Sequence, residues 1–303
     1  MASTERGPQR SAPASISVAV RTSPDPRTLE EMYLDLMKRS LTRVLFAKEY
    51  QRQTLSPSRL WLRACNAVVR GVLSPLNLEL VRVIRSGPED YLESGHAAKN
   101  RVEDSETMLG TRQLDHMQMC INDVLDRGIP GDLVEAGVWR GGMTIFMRAA
   151  LGVRRERKRR VWVVDSFEGL PNPDAALDSF GWKAGEMAVS VDEVRGNFAR
   201  YGLLDDQVVF LKGFFSDTLP KAPISALSIL RVDADLYEST RDVLENLYPK
   251  LSVGGYAIFD DYQNLIDCRR AVDEYRKTLS IREPITKIDS RAIFWRKTAH
   301  AGQ

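Results

Sequence analysis

The sequence predicts an α/β fold: a doubly wound, mostly parallel sheet preceded by a helical cap. Two features of the 303-residue chain point to it. From Gly131 onward, short apolar runs (LVEAGV, VWVVDSF, VVFLKG, LSILRVDAD, YAIFDDY and AIFWRK) alternate with segments of helical spacing near 141–151, 190–201, 237–250 and 267–279. Alternation of this kind builds parallel sheets, because a parallel crossover needs roughly a helix's length to return. The second feature is where the glycines and aspartates fall. They follow the apolar runs, at the strand ends where open sheets of this class bind ligands.

Taken in order, residues 1–28 are rich in Ser, Pro, Ala and Arg and read as a disordered tail, with too short an apolar run for a secretory signal. Residues 29–46 carry Leu29, Met32, Tyr33, Leu36, Met37, Leu41, Val44 and Leu45 at helical spacing. That amphipathic helix needs a partner surface, and its wide apolar stripe suggests a homo-oligomer. The stretch 47–106 mixes helical patterns with Ser56-Pro57, Ser74-Pro75 and Gly87-Pro88 and reads as a helical cap or lid; within it Arg59 to Leu73 reads as a core-facing amphipathic helix. The cap region is set at 29–110, with the α/β domain at 111–303. A helix over 111–127 places Leu114, Met117, Ile121, Val124 and Leu125 on one stripe and stops at Gly128 and Pro130. Ser190 and Glu193 form a capping-box pairing for the helix near 190. The last two strands, near 285–289 and 292–297, are too close for a parallel crossover and form an antiparallel hairpin at one edge.

Composition excludes several functions. With 43 basic and 41 acidic residues the net charge is +2, too weak a field to select nucleic acid. The basic run Arg154 to Arg160 has no aromatic platform around it and reads as a solvated loop. No stretch approaches the roughly 18 apolar residues of a membrane span. Cys65, Cys120 and Cys268 show no C-x-x-C pair or disulfide framework, which fits a reducing cytoplasm.

The candidate site is read from the strand ends. The first strand runs into Val134-Glu135-Ala136-Gly137-Val138-Trp139-Arg140-Gly141-Gly142, where Gly137 allows a tight turn and Gly141 and Gly142 open a helix. The second ends at Asp165-Ser166, and an acid here can accept both hydroxyls of a ribose. After the third come Phe214, Phe215 and Ser216, suited to an adenine ring or simply to packing. The fourth ends in Asp233-Ala234-Asp235 and the fifth in Asp260-Asp261. Four carboxylates on neighbouring strand ends repel unless paired or metal-bound. A set of Asp without clustered His or Cys favours a hard cation such as Mg²⁺. The plainer alternative is helix capping by Asp235 and an exposed loop at Asp260 and Asp261.

At these residues the sequence resembles the macrocin-O-methyltransferase family, S-adenosylmethionine (SAM) dependent enzymes that methylate sugar hydroxyls on macrolides and aminocoumarins. The motifs appear in order: Tyr33-Leu34-Asp35-Leu36, Thr107-Met108-Leu109-Gly110, Val134 to Gly142, Val164 to Gly169, Asn197 to Asp206, Asp217-Thr218-Leu219-Pro220, Asp233 to Thr240, Gly254-Gly255-Tyr256 and Asp260-Asp261-Tyr262. The resemblance implies a seven-stranded SAM-methyltransferase sheet. It places Met108, Glu135, Gly137, Trp139, Gly141, Asp165, Ser166, Ser216 and Asp233 against SAM, with Glu135 and Gly137 at its methionine part. It assigns Asp233, Asp260 and Asp261 to the metal and Asp235, or Asp233, to the base. Two departures stand out: Ala234 replaces a glycine, and Pro171 to Val189 contains no histidine that could serve as base. Both 29–106 and 170–189 are expected to act as lids. The function expected is Mg²⁺-dependent methylation of a small-molecule hydroxyl, such as a deoxysugar on a natural product. The alternatives are a phenolic or catechol acceptor, or a non-catalytic SAM-binding subunit.

Overall fold

A computed structural model gives the fold. It describes residues 28–46, 50–54, 67–69, 71–73, 75, 81–85, 92–93 and 105–298. The N-terminal tail and much of the expected cap lie outside the described residues.

Helix α1 (Leu29–Leu41) opens on a capping box. Thr28 Oγ1 accepts from the Glu31 amide at 3.2 Å, and Glu31 Oε2 accepts from the Thr28 amide at 2.8 Å. The helix is shorter than the predicted 29–46, because Arg43 takes a left-handed backbone (φ +61°) and only a 3₁₀ turn follows at Val44–Phe46. Its stripe divides: Leu34, Met37 and Leu41 are buried, whereas Leu29, Met32 and Leu36 are exposed.

The expected helical cap contains strands as well. Strands β1 (Tyr50–Thr54) and β2 (Val81–Arg85) pair antiparallel, Tyr50 opposite Arg85. The sequence VRVIR is rich in β-branched residues, and that local preference prevails here. Of the predicted helix over Arg59 to Leu73, helical residues are described at 67–69 and 71–73.

Helix α2 (Thr111–Asp126) buries Leu114, Met117, Ile121 and Val124 and stops just before Gly128 (φ +62°), as its spacing predicts. The alternating core follows: β3 (Asp132–Ala136), α3 (Gly142–Val153), β4 (Val161–Asp165), α4 (Val191–Arg200), β5 (Val208–Lys212), the short α5 (Phe215–Thr218), β6 (Leu227–Val232), α6 (Tyr237–Leu247), β7 (Leu251–Phe259), α7 (Ile266–Thr278), β8 (Thr286–Lys287) and β9 (Ile293–Arg296). The predicted helix over 237–250 ends early, at a 3₁₀ turn holding Pro249. At α4 the Ser190 hydroxyl caps the Glu193 amide at 3.2 Å.

The sheet has seven strands in the order β5-β4-β3-β6-β7-β9-β8. Neighbours from β5 to β7 are parallel, and β9 and β8 complete the predicted antiparallel edge. One face packs on α1–α4 through Phe146, Phe198, Leu133 and Val163; the other packs on α6 and α7 through Leu244, Leu247, Val272 and Trp295. Strands covered on both faces need continuous apolar runs, which is what the sequence supplies. Strand order reverses between β3 and β6, so the crevice beyond their C-terminal ends is where a ligand belongs.

Candidate functional site

The turn after β3 is set by close backbone approach. Gly137 has φ +88°, and a Cβ built there would lie 1.7 Å from the Asp233 carbonyl oxygen, so no other residue fits. Trp139 follows at φ +49°. The Asp165 carboxylate, at the end of β4, staples this turn: Oδ2 accepts from the Val138 amide at 2.8 Å and Oδ1 from the Phe167 amide at 2.7 Å. Burial pushes its pKa up, and those amides pull it back. Ser166 holds its own turn, donating to the Gly169 carbonyl at 2.6 Å.

These turns border a cavity of about 380 Å³. Met108, Gly137, Trp139, Asp165, Ser166, Ser216 and Asp233 line it, joined by Phe214 and Phe215. The volume and the mix of aromatic, hydroxyl and carboxylate groups suit a nucleoside-sized ligand. Two residues expected against the ligand sit elsewhere. Gly141 is the N-cap of α3, at φ +84°, with its Cα facing Val194 and Phe198. Glu135 is buried beneath the crevice, where Oε1 accepts from Arg231 Nη1 at 2.7 Å and Oε2 has no partner. Burial, reinforced by Asp233 and Asp260 and opposed by Arg231, lifts the Glu135 pKa to about 8.

Arg231 organises the carboxylates. It is fully buried in β6, where its Nη1 also reaches Asp233 Oδ2 at 2.9 Å and its Nη2 reaches Asp260 Oδ1 at 2.9 Å. Gln113 on α2 donates to the same Asp260 oxygen at 2.6 Å. Arg291, just before β9, lies 3.4 Å from Asp260 Oδ2 and hydrogen-bonds Asp261 Oδ1. Sequence reading passed over Gln113, Arg231 and Arg291 as site residues. Of these only Arg231 left a trace, as a charge inside a core strand's apolar run.

Asp260 and Asp261 are buried, not on an exposed loop. Asp235 does not cap α6 either: Leu236 is the N-cap, and Asp178 Oδ1 takes the Tyr237 amide at 2.8 Å. Asp235 instead has a left-handed backbone, φ +55°. One carboxylate oxygen each from Asp233, Asp235 and Asp261 lie within 4.8 Å of one another. Asp261 Oδ2 is buried without a hydrogen-bond partner. An all-oxygen set with an orphaned buried oxygen fits a hard divalent cation. Asp260 is turned to Arg231 and Gln113, though it borders the same small cavity. Burial raises all four aspartates, Asp233 to about 6 and Asp235 well above the usual carboxylate range, with Asp261 and Asp233 adding to the effect at Asp235.

This second cavity is lined by Met108, Leu109, Trp182, Met187, Asn264, Leu265 and Arg291 as well as Asp233, Asp235 and Asp260. It shares Met108, Met187, Asp233 and Asp235 with the larger one. The two spaces thus meet at two thioethers and two carboxylates.

The macrocin-O-methyltransferase (TylF) family model matches residues 30–297. An 8-demethyl-8-(2,3-dimethoxy-alpha-L-rhamnosyl)-tetracenomycin-C 4'-O-methyltransferase of Streptomyces olivaceus is 54% identical over 200 residues, 64% of this chain and 76% of that protein. A demethyldecarbamoylnovobiocin O-methyltransferase of Streptomyces niveus is 39% identical over 287 residues, 92% of this chain and 98% of that protein. Among solved structures, the O-methyltransferase NovP superposes with a TM-score of 0.72 at 38% identity, covering 89% of this chain and 100% of its own.

Proposed function

The chain belongs to the macrocin-O-methyltransferase family and is a SAM-dependent O-methyltransferase, and from that premise we propose that it methylates a sugar hydroxyl on a natural product with the help of Mg²⁺. The observation that carries this reading is the shared wall. A nucleoside-sized cavity meets a carboxylate-lined one at Asp233 and Asp235, so a methyl donor in the first faces a hydroxyl in the second. The relatives that act on rhamnosyl and novobiocin scaffolds support the acceptor class.

In this reading Asp165 takes the ribose hydroxyls, Phe214, Phe215 and Ser216 surround the adenine, and Gly137 and Trp139 hold the turn beside the methionine part. Asp233 and Asp261, which each bring an oxygen to the cluster with Asp235, would hold the cation, the unpartnered Asp261 Oδ2 being the oxygen most in need of one, while Asp260 stays with Arg231 and Gln113 behind them. When bound, Mg²⁺ supplies positive charge that acidifies a hydroxyl beside it. Asp235, which makes no ion pair among the described residues and borders both cavities, takes the acceptor's proton. The freed oxygen lone pair attacks the SAM methyl carbon, the S–C bond breaks, and S-adenosylhomocysteine (SAH) leaves. The chain's main contribution is alignment, since fixing two reactants is worth about 7–11 kcal/mol of barrier.

Cytoplasmic residence belongs to the same reading and is supported by the free, buried Cys120 and Cys268. No helix among the described residues is long and apolar enough to cross a membrane. Self-association through the exposed side of α1 completes the proposal.

The test is an acceptor panel. The protein with SAM and Mg²⁺ is offered p-nitrophenyl α-L-rhamnoside, demethyldecarbamoylnovobiocin and catechol, and products are located by mass spectrometry and NMR. Methyl transfer to a sugar oxygen, abolished by EDTA and restored by Mg²⁺, is the expected result. Transfer to catechol alone, or turnover indifferent to EDTA, would overturn it. Calorimetric titration of Mg²⁺ into the SAH complex should give binding that Asp261→Asn removes.

A further inference from the structure

The loop between β4 and α4, residues 166–190, has no regular secondary structure, yet it is tied down. Ser179 donates to Asp267 Oδ2 from its amide at 2.7 Å and from its hydroxyl at 2.8 Å. Arg270 Nη2 donates to the Leu177 carbonyl at 2.5 Å, and Asp178 accepts the Tyr237 amide. These bonds fasten 177–179 to the starts of α6 and α7. The next three residues are Phe180, Gly181 and Trp182, with Gly181 at φ +85°. The two aromatic rings lie 4.7 Å apart, tilted by 36°. Phe180 is 56% exposed, and Trp182 lines the carboxylate cavity. The Trp182 Nε1–H is buried and has no acceptor.

A buried indole N–H without a partner costs free energy, on the order of 1–3 kcal/mol, unless something accepts from it. Trp182 packs in part against the core, and Phe180 extends the aromatic surface outward beside the polar cavity. A pyranose suits both features: one face of its ring is a patch of C–H bonds, and its edge carries hydroxyl and ring oxygens. The cavity that Trp182 lines is also lined by Asp233, Asp235 and Asn264, which suit the hydroxyl edge.

We propose that Phe180 and Trp182 form the acceptor subsite, the aromatic pair taking the C–H face of the sugar ring and the Trp182 indole N–H donating to one of its oxygens. This inference rests on the sugar-acceptor reading above and adds the residues that select and orient the sugar. Trp182 is a specificity and positioning residue and takes no part in moving the proton or the methyl group. Asp267 and Arg270 act one step further back, by holding the loop that presents the pair.

The experiment reads the indole directly. The chain holds five tryptophans, and ¹⁵N-indole spectra of the protein and of Trp182→Phe assign the Trp182 resonance by its disappearance. Methyl α-L-rhamnopyranoside is then titrated into the SAH- and Mg²⁺-loaded protein, with catechol as comparison. The Trp182 indole proton should move downfield with the glycoside and stay still with catechol. In the methylation assay Trp182→Phe, which keeps a ring and removes the donor, should raise KM for p-nitrophenyl α-L-rhamnoside about fivefold with kcat within twofold, the loss of one neutral hydrogen bond. Phe180→Ala should raise KM as well and leave SAM affinity unchanged. An unmoved Trp182 resonance at saturating glycoside, or an unchanged KM in Trp182→Phe, overturns the subsite even if sugars are methylated. Methylation of catechol alone overturns the underlying reading instead, and the two failures are thereby told apart.

Discussion

Asp235 sits at φ +55°, a conformation that costs a residue other than glycine roughly 1–3 kcal/mol. In that conformation its carboxylate lies with those of Asp233 and Asp261, and Asp178 takes the Tyr237 amide instead. Asp235→Asn should lower kcat about 10²- to 10⁴-fold, the usual worth of a general base, with SAM affinity by calorimetry changed less than threefold. His116 offers a test of pH dependence away from the carboxylates. Burial, helped by Arg231 and opposed by Asp289, lowers its pKa to about 4, and its ring packs 4.2 Å from Phe294. A histidine neutral in the fold but ordinary when unfolded gives stability that is complete above about pH 6.5 and lost as pH falls through about 4. His116→Phe keeps the ring packing and removes that loss. Its thermal midpoint should fall less than the parent's between pH 6.5 and 4, a difference of at most about 3 kcal/mol. The lining residues Gly137, Asp165 and Ser216 were readable in the sequence because they follow strand ends, and Met108 through the family resemblance. Met187 and Trp182 were not, since a loop without period gives no clue to where its side chains go.

Among the elements, β6 carries the most unusual burden. Its Arg231 compensates Glu135 from β3, Asp233 from its own end and Asp260 from β7. The apolar run around it announced a core strand, but the partners lie 96, 2 and 29 residues away, and no local pattern links them. Arg231→Met should cost about 3–5 kcal/mol in chemical denaturation, because Glu135 then stays buried without a counter-charge and Asp260 keeps Arg291 alone. The turn after β3 is equally intolerant. Gly137→Ala forces a Cβ into the Asp233 carbonyl and separates β3 from β6, so it should abolish SAM binding by calorimetry. One helix end was legible at Gly128, whereas the helix expected over 237–250 stops at Leu247, before Pro249. Nor was an end legible where an ordinary residue such as Arg43 adopted a left-handed turn.

For the whole molecule, the alternation of runs fixed the sheet and its antiparallel edge, since burial on both faces and crossover length leave few alternatives. The cap was less legible, because short strands such as Tyr50–Thr54 and Val81–Arg85 compete with helical spacing over similar lengths. Leu29, Met32 and Leu36 leave one side of α1 uncovered, at 81%, 53% and 53% exposure. If that side joins two copies, the double variant Met32→Glu, Leu36→Glu should convert an oligomer to a monomer by light scattering, with SAM affinity intact.

The two cavities share Met108, Met187, Asp233 and Asp235. An inhibitor can therefore be one molecule instead of two: adenosine tethered through a short, uncharged chain to a hexose. Seated in the larger chamber and reaching into the smaller one with a sugar hydroxyl, it gains the effective concentration of linked ligands and should outcompete either half alone by a factor of about 10² or more.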